Sequence, residues 1–175
     1  MRKHLIAAVS LAVLFTGVKL QAQAPSDPQI VQIVQTANQI DIAQARLALK
    51  KSSNSQVKDF ANQMITDHQA LSKSVADLAK KLNVTPQESD TSKQLKQQAD
   101  DESKKLKTLK GADFDKEYVS HEIAYHQAVI DAASNVLIPN AKNAELKSAL
   151  QGAAPLLQGH KEHAQHLQES LQGSK

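Results

Sequence analysis

Between residues 60 and 82 the apolar positions Phe60, Met64, Leu71, Val75, Leu78 and Leu82 recur at steps of three, four or seven, the stripe that an amphipathic helix buries. The same spacing continues on either side. Ile30, Val34, Ala37, Ala45 and Ala48 predict a first helix from residue 27 to about 51, with Asp27 as its cap and Pro28 at the first helical position. Ser52-Ser53-Asn54-Ser55 reads as a turn, and Asn54 or Ser55 can cap the second helix, which runs to about Asn83. Thr85-Pro86 then breaks the pattern. A thinner, highly charged helix over about residues 90–109 carries Leu95, Ala99, Leu106 and Leu109, and Gly111 is expected to end it. A fourth helix is expected with Asp113 as cap and Val119, Ile123, Ile130, Ala133 and Leu137 as its buried line, ending at Pro139-Asn140. The fifth begins near Asn143 and carries Leu146, Leu150, Leu157, Ala164, Leu167 and Leu171. Pro155 lies inside it and predicts a kink.

Short turns join the first helix to the second and the fourth to the fifth, so each pair forms an antiparallel hairpin. The third helix makes the long connection between hairpins. The expected fold is therefore all-α, a ferritin-like four-helix bundle of two hairpins with an additional connecting helix. Composition agrees: 41% of the 175 residues are hydrophobic, while Gly and Pro number five each and aromatics are scarce, as suits closely packed helices.

The start of the chain changes the picture. MRKHLIAAVSLAVLFTGVKLQAQA has a basic beginning, an apolar run over residues 5–18 and a small-residue end, the layout of a secretory signal peptide. The run falls short of the roughly 20 residues that span a bilayer. Cleavage after Ala22 is expected, giving a signal peptide at residues 1–22 and a bundle domain at residues 27–172. No cysteine stands at the cut, so the mature chain has no lipid anchor and no stable membrane attachment. Removing the signal takes away Arg2, Lys3 and Lys19 but no acid, which leaves 18 of the 21 basic residues against 18 acidic ones. A neutral exported domain has no overall field to draw nucleic acid or anionic lipid. With no cysteine in an oxidising compartment, stability comes from packing or a bound ion.

Each long helix carries one polar residue inside its apolar stripe: Asp41 on the first, His68 on the second, His126 between Ile123 and Ile130, and His160 between Leu157 and Ala164. Asp41 lies about 12 residues before its turn and His68 about 14 after it, near 20 Å each at about 1.5 Å per residue. His126 is about 13 residues before the second hairpin turn and His160 about 17–20 after it, so one shared layer follows to within about 10 Å. A buried carboxylate is costly unless it is paired or bound to a cation. Three imidazoles and a carboxylate are the first shell of a zinc, copper, iron or manganese site. The candidate metal ligands are thus His68, His126, His160 and Asp41, with Glu122, one turn before His126, as an optional fifth. The competing reading is a metal-free polar layer in which Asp41 accepts from a histidine and fixes helix register, in an envelope, stress or protein-interaction bundle. Asp67 is rotated from His68 and reads as a supporting or surface residue, and His163 as one that approaches the inner face.

Other chemistry is not called for. A di-iron oxidase needs Glu-x-x-His on two helices, yet Tyr125 stands three residues after Glu122 and Gln165 three after Glu162. No phosphate loop, nucleophile elbow or His-Glu-x-x-His is present. The reading favours a binding protein over an enzyme.

Asp41, Leu47-Ala48, Asn54, Val57-Lys58, Phe60-Ala61, Met64 and Asp67-His68, followed by Phe114-Asp115, Tyr118, His126, Glu145-Leu146-Lys147, Pro155-Leu156 and His160, form a string of wider significance. It resembles an exported bacterial family catalogued as domain of unknown function 4142 and described as ferritin-like. The resemblance covers nearly the whole mature chain. It implies the fold and export, makes His68, His126 and His160 motif positions, and supplies no activity. This chain carries Asp41 where the family usually has Glu, and Tyr125 where an acidic residue is common.

Overall fold

The computed structural model describes residues 24–173; the expected signal peptide at residues 1–22 lies outside the described residues. The chain forms α1 (Asp27–Lys51), α2 (Ser55–Lys81), α3 (Asp90–Thr108), α4 (Gly111–Ala132), a π-helical turn (Ala133–Leu137), a short α5 (Ile138–Asn140) and α6 (Ala144–Gly173). Helix α1 packs along α2 and α4 along α6, and contacts of α2 with α6 and of α1 with α4 close the bundle. The connecting α3 packs against α1 and α4, anchored by the fully buried Leu106. This is the expected all-α bundle of two hairpins with a connecting helix. No helix among the described residues is long and apolar enough to cross a membrane.

Most helix ends follow their capping residues, with two corrections. Ser26, whose backbone is extended, is the N-cap of α1, and Gln29 reaches back to accept its N–H at 3.0 Å. Asp27 is therefore already inside the helix. Its carboxylate instead accepts the backbone N–H groups of Lys142 and Asn143 at 2.8 and 2.9 Å, tying the start of α1 to the turn before α6. Gly111 likewise opens α4 rather than ending α3. It adopts a φ of +53°, open to glycine at little cost, while Lys110 is the N-cap and Asp113 falls in the first turn. Asn54 caps α2 by accepting from Gln56 and Val57 at 2.9 and 3.3 Å. Asn143 caps α6 through Glu145 and Leu146 at 2.9 and 3.1 Å. The π turn was not foreseeable from periodicity: Ile138 donates to Ala133, five residues back, just before Pro139, which has no N–H to give. Helix α6 continues through Pro155 as one element.

The apolar interior is divided. One block gathers Phe60, Met64, Phe114, Tyr118, Ala164 and their neighbours. The other gathers Ile30, Val31, Val75, Leu137, Leu146 and theirs. Asp41, His68, His126 and His160 each fall, along their own helices, between residues of the two blocks. The bundle thus carries a polar layer between two hydrocarbon plugs, and the plugs keep that layer from water.

Candidate metal centre

All five sequence-predicted side chains reach the interior. Asp41, Glu122, His126 and His160 are 1% exposed and His68 is 3% exposed. The rings of His68, His126 and His160 lie 5.2–5.6 Å apart between centroids. Asp41 Oδ2 stands 3.2 Å from His68 Nε2 and 3.5 Å from His126 Nε2. Glu122 Oε2 stands 3.5 Å from His126 Nδ1. The helical register explains the convergence, since each residue occupies a stripe position that packing turns inward.

Each ring is held by one nitrogen. His68 Nδ1 donates to Asn38 Oδ1 at 2.7 Å. His126 Nδ1 donates to the Glu122 carbonyl at 2.9 Å. His160 Nε2 donates to Asp67 Oδ2 at 2.9 Å. The remaining nitrogens, His68 Nε2, His126 Nε2 and His160 Nδ1, are buried without a hydrogen-bond partner, as are both Asp41 oxygens and Glu122 Oε2. Buried polar atoms are almost always satisfied, and leaving one unmet costs about 1–3 kcal/mol. Six such atoms in one layer call for something that accepts lone pairs.

Those lone pairs fit a cation. One nitrogen from each of the three imidazoles, and one donor atom each from Asp41, Glu122 and His126, form two sets whose members lie within 4.8 Å of one another. Ligand bonds of about 2.0–2.2 Å allow donors on opposite sides of an ion to stand about 4.4 Å apart, so each set is close to the size of a coordination shell. A ring that donates from one nitrogen to a carboxylate or carbonyl presents the other in the ligating tautomer. This arrangement occurs three times around one point.

Burial also keeps the rings in the form that binds metal. Desolvation, and then the neighbouring His126 and His160 rings, push His68 down to about 3. Desolvation takes His126 down to about 4 and lowers His160 as well. For Asp41 desolvation works the other way, pushing it up to about 8, and Glu122 rises well above its usual range for the same reason, aided by the charge of Asp41. Without an ion the layer is neutral, with bare imidazoles facing protonated carboxyls. A divalent cation reverses this by charging the carboxylates it binds.

Residues outside the predicted set also build the layer. Asn38 is buried on α1 and orients His68; its signal was a polar residue one turn before Asp41 on the same inner face. Asp67 is the support of His160. Tyr125 donates its hydroxyl to the Ala37 carbonyl at 3.0 Å, bracing α4 against α1. His163, expected to approach the inner face, is exposed at its rim but sets its ring edge-on against the buried Phe60 at 5.1 Å and meets Gln63 at 3.0 Å. His166 is solvated, and His121 lies partly buried 4.0 Å from Glu102.

A helical bundle with imidazoles and carboxylates converging in a sealed core is a scaffold for a metal site of the kind that helix bundles build from facing side chains. The chain belongs to the family described as Domain of unknown function (DUF4142), whose model matches residues 16–167. Its fold is similar to that of CopM, solved in the Cu(II)-bound form, with a TM-score of 0.64 over 83% of this chain and 98% of that chain at 19% identity. No curated protein matches the sequence.

The opposed shifts fix how the ion-free bundle responds to pH. A ring that ionises near 6.5 when unfolded but near 3 or 4 when folded stabilises the fold fully above 6.5, and that contribution is lost as pH falls toward the folded value. Asp41, raised from 3.8 to about 8, contributes stability below 3.8 that is lost as pH rises through 8. Four lowered rings, His68, His121, His126 and His160, oppose the two carboxyls below 6.5, and the carboxyls act alone above it. With chelator present, the urea midpoint is expected to peak near pH 6.5, falling toward both pH 5 and pH 8. A midpoint that holds or rises from 6.5 to 8 contradicts this charge assignment.

Proposed function

We propose that this protein is an exported bundle that binds a transition-metal ion in its core, through His68, His126 and His160 with Asp41 as carboxylate and Glu122 as a further ligand. The observation that carries the reading is the set of three buried imidazole nitrogens that face one point without a partner while each ring's other nitrogen is tethered. A closed, metal-free polar layer would spend those atoms on one another. Here Asp41 Oδ2 stands within ion-pairing distance of two rings, at 3.2 and 3.5 Å, without a hydrogen bond to either.

Three neutral nitrogens with one or two carboxylates suit copper and zinc, with iron and manganese also within the donor chemistry. CopM, a structural neighbour in Cu(II)-bound form, puts copper first among the ions to test. The role is sequestration, metal tolerance or stabilisation of the fold rather than turnover. The sealed layer offers no cleft to a substrate, and the donors are supplied by the rigid middles of helices. Export follows from residues 1–22, whose basic start, apolar run and small-residue end form a cleavable signal. The mature domain is residues 27–172, preceded by a short lead from Gln23.

Two measurements check this. Tag-free mature protein is expected to carry copper or zinc at neutral pH. With free ion at a hundred times its dissociation constant, stability rises by about 2.7 kcal/mol, and chelation removes the gain. His68→Ala loses both the ion and the response to chelator. Metal-free protein whose melting ignores both added ion and chelator overturns the reading. For export, intact mass of the protein recovered from its native host is expected to begin at Gln23; a chain that keeps residues 1–22 refutes it.

A further inference from the structure

The donor atoms of the polar layer spread over more than one shell, and Asp41 Oδ2, 3.2 Å from His68 and 3.5 Å from His126, stands where the shells join. Among the described residues they fall into two sets of three that share His126: the imidazoles of His68, His126 and His160, and the oxygen-rich group of Asp41, Glu122 and His126. An ion within about 2.2 Å of every ligand cannot reach donors spread much beyond 4.4 Å. The core therefore offers two overlapping positions of different chemistry, one rich in nitrogen and one rich in oxygen.

Tyr118 belongs to the second. It sits one helical turn before Glu122 and is 0% exposed. Its ring is locked by Phe114, stacked at 6.2 Å, and by the edge of Phe60 at 6.1 Å. Its hydroxyl is buried and meets no polar group but the Glu122 carboxyl, to which it makes a loose hydrogen bond short of good geometry. It lies against Glu122: burial first, and then the charges of Glu122 and Asp41, hold its proton more tightly. Three oxygen atoms thus stand unmet on one side of the layer, both of Asp41 and Oε2 of Glu122, with the phenol of Tyr118 set against the Glu122 carboxyl beside them. Hydrocarbon fills the space behind them.

We propose that Asp41, Glu122 and Tyr118 form an oxygen-lined cation position beside the imidazoles, taking a hard divalent ion such as Mn²⁺, so that the core sorts cations by ligand preference. Carboxylate and hydroxyl oxygens suit hard ions, while imidazoles suit copper and zinc. Glu122 is then a ligand of this second position rather than the fifth ligand of the first. The inference rests on the reading that the core holds a cation, and it adds Tyr118 and the division of labour.

The test is a pair of affinities on the mature, tag-free chain. Mn²⁺ binding is read from loss of the free-ion electron paramagnetic resonance signal, and Zn²⁺ binding by competition with a chromophoric chelator. Tyr118→Phe keeps the ring and removes the oxygen. It is expected to weaken Mn²⁺ by roughly 10–100-fold and leave Zn²⁺ within about threefold. His160→Gln is expected to do the reverse. Should Tyr118→Phe fold poorly, Glu122→Gln, isosteric with the native side chain, must give the same Mn²⁺-selective loss. Unchanged Mn²⁺ affinity in Tyr118→Phe, or parallel shifts of both ions in both variants, overturns the second position. Zn²⁺ binding without any Mn²⁺ binding overturns it too, while leaving the imidazole site standing. Failure of the native chain to bind either ion overturns both.

Discussion

Desolvation of polar groups in the middle of the bundle is the constraint on which the rest of the structure depends. Hydrocarbon above and below the layer removes water from three imidazoles and two carboxyls at once. That removal forces the rings neutral and the carboxyls protonated, and it makes every unmet lone pair expensive. A fold optimised for stability alone would have filled this layer with leucine, since apolar substitutes for buried polar sets are often neutral or stabilising. The layer is kept polar against that gradient. Its tethers prepare each ring from behind: Asn38 for His68, the Glu122 carbonyl for His126, and Asp67 for His160.

The scaffold around the layer serves the same end. Ligand groups on separate helices stay in register only if the helices cannot slide. Several contacts prevent sliding: Asp27 pins the start of α1 to the turn before α6, Tyr125 ties α4 to α1, and Leu106 docks the connecting helix. Under the proposed function the two plugs also bear on selectivity, because close packing holds the donor positions nearly fixed. An ion then enters by matching them rather than by reshaping them.

Much of this was legible in the sequence. Five helices, their pairing and the four inward polar residues follow from a 3.6-residue period, because burial is a property of spacing and polarity. Glu122 could be found by asking what lies one turn from His126. Local detail was less accessible. Ser26 and Asp27 are both good caps, and the choice between them depends on Lys142 and Asn143, which are distant in sequence. Gly111 marks either a helix end or a helix start, and only the chain direction on each side decides. The π turn answers to the packing of Leu137 and the missing donor of Pro139 rather than to any period. Tyr118 belongs to the string of residues that carries the family resemblance, and its hydroxyl gains meaning only with Glu122 and Asp41 beside it.

Imidazole nitrogens meeting at a metal ion in the core are the interaction on which the proposed function stands. X-ray absorption at the metal edge of copper-loaded or zinc-loaded, tag-free protein measures that directly. The expected spectrum shows nitrogen or oxygen ligands at about 2.0–2.1 Å, with the outer-shell scattering of about three imidazole rings. That outer scattering is expected to diminish in His160→Gln. A spectrum with no imidazole scattering, or one identical in native and variant protein, would place the ion elsewhere and contradict the account.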